Sequence, residues 1–241
     1  MGEAELEPVR SLWVGEALPA ASRACMASFL RVGHPFELFT YGEVAGVPEG
    51  VRVRRAEDIL GAHRVFRYGS AAGPGAGGLS GFSNLFRYAL LVREGGYWVD
   101  TDEFCLRPFP TDPVVIGSER RKDGSAVPNV GVLKVPRGHS LAYHCLELAG
   151  SADPASLPHG ATGPGLIAQA VEQFRMHSAV APPEAFCDVD WHDFESLARP
   201  GTLNRRAMGI HLWAEMWRRK AGGIPWPGPE GSILRQLADL G

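Results

Sequence analysis

The chain has 241 residues, 45% hydrophobic and 21% charged, an ordinary composition for a folded protein and long enough to bury a core without disulfide or metal staples. A formal net charge of −3 supplies no basic field and argues against a nucleic-acid partner. No apolar run reaches the roughly 18 residues of a membrane span, so no transmembrane segment is expected. The first residues, MGEAELEPVR, are acidic and polar and carry no apolar leader. Cys25, Cys105, Cys145 and Cys187 are scattered, with no CxxC pair and no zinc spacing, which predicts reduced thiols filling the core of a cytoplasmic protein.

The chain opens with a short apolar strand over 8–14 (PVRSLWV). Leu18, Ala21, Cys25, Phe29 and Val32 follow at close to helical spacing and predict a helix over 17–32, stopped by Gly33, His34 and Pro35. FELFTY at 36–41 reads as a second strand and 51–53 as a third, a βαβ opening that points to a parallel sheet. Residues 69–78 (GSAAGPGAGG) have almost nothing to bury and predict a mobile loop within about 60–79. A phosphate-cradling loop is the sharper alternative, but no GxxxxGK[ST] pattern accompanies it.

A strong helix is expected over 80–94. Phe82, Leu85, Phe86, Ala89 and Leu90 form one apolar stripe, Ser80 can cap the start, and Gly95-Gly96 ends it. Asn84 and Arg87 lie three apart on the opposite flank. Tyr97-Trp98-Val99 is β-prone and runs into Asp100-Thr101-Asp102. Further strands are expected at 114–116, 129–133 and 207–211, and helices at 140–148, 166–174, 212–219 and 232–240. No internal repeat and no domain boundary is visible, so 1–241 reads as one domain.

Asp100 and Asp102 centre the functional argument. Residues two apart in an extended strand point to one side, and two carboxylates so placed repel unless a cation sits between them. Oxygen ligands suit Mg²⁺ and Mn²⁺, and two carboxylates leave positions open for phosphates and water. Strand ends of open α/β sheets are also where ligands bind. A bare DxD is more often a solvated turn; the helix, Gly-Gly and aromatic strand in front of it are what lift this one.

The run SNLFRYALLVREGGYWVDTD (83–102) resembles the signature of glycosyltransferases with a DXD sugar-binding region. These include yeast initiating mannosyltransferases, α-1,4-galactosyltransferases and, distantly, clostridial glucosylating toxin domains. SLWVG (11–15), NVGVLK (129–134), TGPG (162–165) and IHLWAEMW (210–217) extend the resemblance in the expected order. It implies an α/β fold of GT-A type, a Rossmann-like mixed sheet with helices on both faces, in a single domain. It further implies a nucleoside diphosphate-sugar donor, UDP-sugar or GDP-mannose, with Mn²⁺ or Mg²⁺, and transfer to an acceptor hydroxyl with retention of configuration. Carried onto this chain, Asp102 binds metal; Asp100 touches metal, ribose or sugar; Trp13 stacks on the nucleobase. Arg87 reaches the donor sugar or phosphate, Gly163 lies at the donor site, and His211 is a third metal ligand. The family has Asp at position 84; Asn84 can hydrogen-bond there without charge, which bears on donor identity.

Each candidate has an ordinary reading beside it. His211 can be a hydrogen-bonded core histidine, Trp13 a buried strand residue, and Arg87 a surface arginine. Trp213 and Trp217, four apart on a helix, read as core first, as does Tyr88. His144, His159, His177 and His192 show no convergent pattern. Arg218, Arg219 and Lys220 read as a solvated face. Asp188 and Asp190 read as a solvated turn first and an acceptor-side base second. A haloacid-dehalogenase-type phosphotransferase is disfavoured, because Phe104 stands where that pattern wants Thr or Val. A catalytically weak nucleotide-sugar binding module is the non-enzyme alternative. The acceptor class stays open among saccharides, lipid-linked sugars and small natural products.

Overall fold

The computed structural model describes residues 6–241, so residues 1–5 of the polar opening stretch lie outside the described residues. β1 (Val9–Trp13), α1 (Ala20–Val32), β2 (Phe36–Thr40) and β3 (Arg52–Arg55) form the expected βαβ opening. α1 starts three residues later than its apolar pattern suggests, because Pro19 takes the N-cap position. Gly33 closes it with φ 106°, a left-handed conformation that favours glycine. Next come α2 (Ser80–Arg93), β4 (Gly96–Val99), β5 (Glu103–Cys105), β6 (Val115–Arg120) and β7 (Ala126–Val135). α3 (Ser140–Ser151), α4 (Leu166–Phe174), β8 (Gly209–His211), α5 (Ala214–Ala221) and α6 (Ile233–Ala238) complete the chain.

Six strands pair in the order β3-β2-β1-β4-β7-β6. β3, β2, β1 and β4 run parallel to one another, while β7 runs antiparallel to both β4 and β6. β5 and β8 form a separate antiparallel ribbon. Alternate side chains feed cores on opposite faces. Phe36, Leu38, Tyr97 and Val99 pack with α1 and the C-terminal segments. Leu12, Phe39, Trp98 and Leu133 pack with α2, α3 and α4. This is the α/β arrangement expected from the sequence, a mixed Rossmann-like sheet with helices on both faces.

α2 carries the most apolar burial near the site. Phe82, Phe86 and Leu90 are fully buried, each worth about 1.5–3 kcal/mol relative to exposure. Ser80 is not the expected cap: Leu79 occupies the N-cap position, no side chain caps the helix, and Ser80 is its first residue. Gly95 and Gly96 end the helix with φ 69° and 77°. A Cβ on Gly95 would lie 2.2 Å from the Arg137 backbone nitrogen. The chain therefore turns sharply into β4, which delivers Asp100 to the carboxyl end of the sheet.

Two further expectations change. Residues 69–78 bury more than their composition suggests: Ser70–Gly75 form a 3₁₀ turn, and Tyr68 and Ala72 pack on Leu157. Backbone bonds from Tyr68 N to Gly78 O and from Gly77 N to Tyr68 O close the loop at its base. Asp100-Thr101-Asp102 is a turn rather than a continuation of β4, closed by Glu103 N donating to Asp100 O at 3.1 Å.

Candidate active site

A cavity of about 700 Å³ opens at the carboxyl ends of β1 and β4. β1 contributes Leu12 and Trp13, α2 contributes Asn84 and Arg87, and the β4 turn contributes Asp100 and Asp102. His211, Trp213, Arg218 and Arg219 close the other side, and Tyr68, Gly77 and Gly78 of the glycine-rich loop reach the rim.

Arg87 is 2% exposed and organises one half of the site. Its guanidinium donates to Asn84 Oδ1 and to Asp100 Oδ1, both at 2.5 Å, and lies 4.7 Å from the Trp98 ring centroid. Its Nε has no partner. Trp98 Nε1 donates to Asp100 at 2.9 Å. The predicted helical pairing of Asn84 with Arg87 is therefore real, but it faces inward. Asn84 Nδ2 turns to Thr162 Oγ1 at 3.4 Å. Gly163 is buried behind that amide, where a Cβ would stand 2.9 Å from Asn84 Nδ2, and it does not line the cavity. Tyr88 is core, donating its hydroxyl to Thr162 O.

The second half is built from Asp102, Glu103 and His211. Asp102 is buried, and its carboxylate accepts the Ala214 N–H at 2.7 Å, at the first residue of α5. Leu212 N donates to Asp102 O at 2.8 Å. Trp213 makes this possible by adopting φ 58°, ψ 46°, uncommon for a bulky side chain and typical of strained functional turns. β8 pairs with β5 so that His211 stands directly opposite Glu103. His211 Nδ1 faces Glu103 Oε2 at 3.2 Å, and Nε2 faces Asp102 Oδ2 at 3.4 Å.

One imidazole cannot neutralise two buried carboxylates. Burial raises the Asp102 carboxyl, but the charge and hydrogen bond of His211 outweigh it and hold the group below its ordinary range. Burial pushes Glu103 up to about 7, against a weaker opposing pull from His211. Burial lowers His211, yet Asp102 and Glu103 together hold it well above its ordinary value. The remaining Glu103 oxygen, Oε1, has no hydrogen-bond partner among the described residues. The cluster is short of positive charge.

Asp100, Asp102 and His211 each offer one ligand atom, all within 4.8 Å of one another. Two carboxylates and an imidazole suit a divalent ion such as Mn²⁺, which takes both oxygen and nitrogen ligands. Glu103 behind Nδ1 completes the carboxylate–histidine pairing that usually backs a metal-bound imidazole. The residues fit the group.

Other candidates fall on both sides. Trp13 lines the cavity with Nε1 unpaired. Trp217 packs edge-on against Phe194 in the core, as expected; Trp213 is core too, and it also lies against His211 with 4.2 Å between ring centroids and lines the cavity. Asp188 accepts from Asn204, and Asp190 pairs with Arg120 and His192; neither lines the cavity, so the acceptor-side role considered for them falls. His144 and His177 sit at helix surfaces beside Phe174 and Glu172. His159, expected to be structural, lines the cavity beside Tyr68 and Arg219. Arg218 and Arg219, expected on a solvated face, line the cavity and share Glu215 at 2.7–2.8 Å. Sequence reasoning also missed Glu103, Glu119, Asn129 and Trp191. The one local signal for Glu103 was a third acid directly after the DxD.

No protein-family model matches the chain, and no curated protein matches its sequence. Among solved structures it is similar to a PaToxG glycosyltransferase, at 15% identity over 69% of each chain with a TM-score of 0.49. It is also similar to a protein described as a transferase, at 14% identity over 76% of this chain and 89% of that one, TM-score 0.43. A third is the bacterial N-acetylglucosamine transferase NleB, at 8% identity over 76% and 91%, TM-score 0.41. No helix among the described residues is long and apolar enough to cross a membrane.

Proposed function

We propose that the chain is a metal-dependent hexosyltransferase working as one GT-A-type domain over 1–241. It moves a sugar from a nucleoside diphosphate-sugar, a UDP-sugar in preference to GDP-mannose, onto an acceptor hydroxyl with retention. One observation carries this reading: Asp100, Asp102 and His211 converge within 4.8 Å beside a buried arginine in a ligand-sized cavity. The resemblance of 83–102 to the DXD glycosyltransferases supplies the donor class. Mn²⁺ or Mg²⁺ at the trio would supply charge neutralisation as the diphosphate leaves.

The chain's own residues do the rest. Trp13 offers an aromatic face to a nucleobase. Arg87 holds Asp100 in place and adds positive charge where phosphate or sugar oxygens arrive. His211 is kept with Nε2 toward the cavity by Glu103. The α5 N-terminus fixes the Asp102 carboxylate through Ala214 N. Trp213 and the Gly77-Gly78 rim exclude water from the reacting centre. The acceptor hydroxyl attacks the anomeric carbon from the face that the diphosphate leaves: the new C–O bond replaces the bond to the diphosphate, whose oxygen takes the hydroxyl proton. Four buried free cysteines support a reducing, cytoplasmic setting.

A second reading, a nucleotide-sugar binding module with weak catalysis, is favoured by Asn84. Its carbonyl accepts from Arg87 and its amide donates to Thr162, so part of its capacity for donor hydroxyls is already spent inside the protein. Incubation with a panel of UDP- and GDP-sugars, Mn²⁺ or EDTA, separates the two. Metal-dependent release of the nucleoside diphosphate, with the product's anomeric configuration read by NMR, is the expected result. Tight nucleotide binding with no release supports the module.

A further inference from the structure

The cavity has a second recognition surface that the donor reading leaves unused. It lies on the antiparallel side of the sheet, where the end of β6 and the middle of β7 meet the 188–192 segment. Glu119 lines it and forms no ion pair among the described residues. The neighbouring Arg120 is turned away to Glu184 and Asp190. Glu119 has one hydrogen bond, from Asn129 Nδ2 to its Oε2 at 3.3 Å. Asn129 Nδ2 also reaches Cys187 Sγ at 3.2 Å, and its Oδ1 accepts from Gly131 N at 3.3 Å. Gly131 O in turn accepts from Asp100 N at 2.8 Å, so this surface is wired to the metal-site turn through three residues.

Two features show that the placement is built. The β6–β7 register shifts between Ile116 and Ser118, an irregularity of the kind that re-aims side chains next to active sites. Gly117 lies at that shift, where a Cβ would come within 2.7 Å of Asn129 Oδ1, so the residue type there keeps the amide beside Glu119. Trp191 is half-buried on the same wall of the cavity. Lys122 places its ammonium 5.6 Å from the ring centroid.

A free carboxylate oxygen, a side-chain amide and an indole make a set with defined chemistry. A pyranose presents hydroxyl donors at its rim and C–H groups on its face. The hydroxyls match the carboxylate and amide, and the C–H face matches the indole. A phosphate or carboxylate would be repelled by Glu119, and a hydrocarbon chain would leave the carboxylate unpaired in a dry site.

We propose that Glu119, Asn129 and Trp191 form the acceptor subsite and that the acceptor group seated there is a neutral sugar ring. This rests on the transferase reading for the word acceptor, but the sugar site is testable without it. Saturation-transfer NMR is run on the metal-free protein with methyl α- and β-glycosides of glucose, galactose, mannose and N-acetylglucosamine. At least one glycoside is expected to receive saturation on its ring protons. Glu119→Gln, which keeps the shape of the side chain, weakens that glycoside by about tenfold or more, the loss expected for a hydrogen bond to a charged group. Trp191→Leu does the same and guards against a folding failure in either variant. Binding of UDP with Mn²⁺, measured on the same variants, stays unchanged. Saturation of no glycoside, or saturation that survives both substitutions, overturns the sugar subsite. Loss of UDP–Mn²⁺ binding in the wild type, with glycoside binding intact, sinks the donor reading alone.

Discussion

The two ends of the sheet each gather a cluster of charge, and the clusters are balanced differently. Along β1, β2 and β3, Glu37 and the α2 C-cap residue Glu94 meet Arg10, Arg52 and Arg54 at 2.7–3.5 Å. Arg54 also lies 4.7 Å from the Phe39 ring. Every carboxylate there has a guanidinium, and the cluster needs nothing from outside. At the carboxyl end, Asp100, Asp102 and Glu103 face only Arg87 and the imidazole of His211. A bare buried oxygen on Glu103 and a carboxyl raised to about 7 follow from that shortage. The contrast teaches how to tell a structural ion-pair network from a site: the first closes on itself, and the second is completed by a ligand.

The comparison can be broken at several points, starting with the largest effect. Arg87→Met removes a buried guanidinium, the one paired with Asp100. It leaves Asp100 with only Trp98, and should cost about 3 kcal/mol in denaturant unfolding, together with nucleotide binding. Glu37→Gln should cost about 1.5–3 kcal/mol, because it strips a hydrogen-bonded charge from Arg10 and Arg54. Burial raises the Glu37 carboxyl, but those two arginines outweigh it and hold it below its ordinary range. A carboxylate depressed in this way stabilises the fold above its unfolded-state pKa of about 4.3, and the stabilisation is lost as pH falls through the lower folded value. Wild type should therefore lose more stability than Glu37→Gln on acidification, and equal losses would remove Glu37 from the balanced cluster.

Glu103→Gln sharpens the comparison from the other side. Its effect on metal-free stability should be small, about 1 kcal/mol or less, because no guanidinium is left behind. Mn²⁺ affinity, read by EPR, should fall about 10–100-fold. The smallest effect belongs to Arg52→Ala. Its side chain is 75% exposed, and chemical unfolding should register about 0.5 kcal/mol or less.

Much of this was legible in the chain. The α2 stripe, the Gly95-Gly96 stop and the aromatic strand are local patterns, and each appears where its period and propensity put it. The Asp100–Asp102 convergence was expected on a mistaken premise, an extended strand. A turn does the work instead, with His211 and Ala214 drawing Asp102 in from more than a hundred residues away. β5 was invisible because three residues show no period, and it exists only through its pairing with β8. Glu103 went unseen with it. Glu119 and Asn129 escaped for the same reason, since a β-bulge and a cross-strand contact leave no mark on local sequence. Trp213 is core, as its spacing suggested, but helical spacing says nothing about a left-handed residue at the start of α5 that also faces the cavity.

The most direct test is thermal unfolding with UDP, in Mn²⁺ and in EDTA, on wild type and Asp102→Asn. Nucleotide at about a hundred times its dissociation constant should stabilise the wild type by about 2.7 kcal/mol with Mn²⁺, raising Tm, with no rise in EDTA or in Asp102→Asn. No rise under any condition, or a rise of equal size in EDTA, would contradict a site completed by a cation.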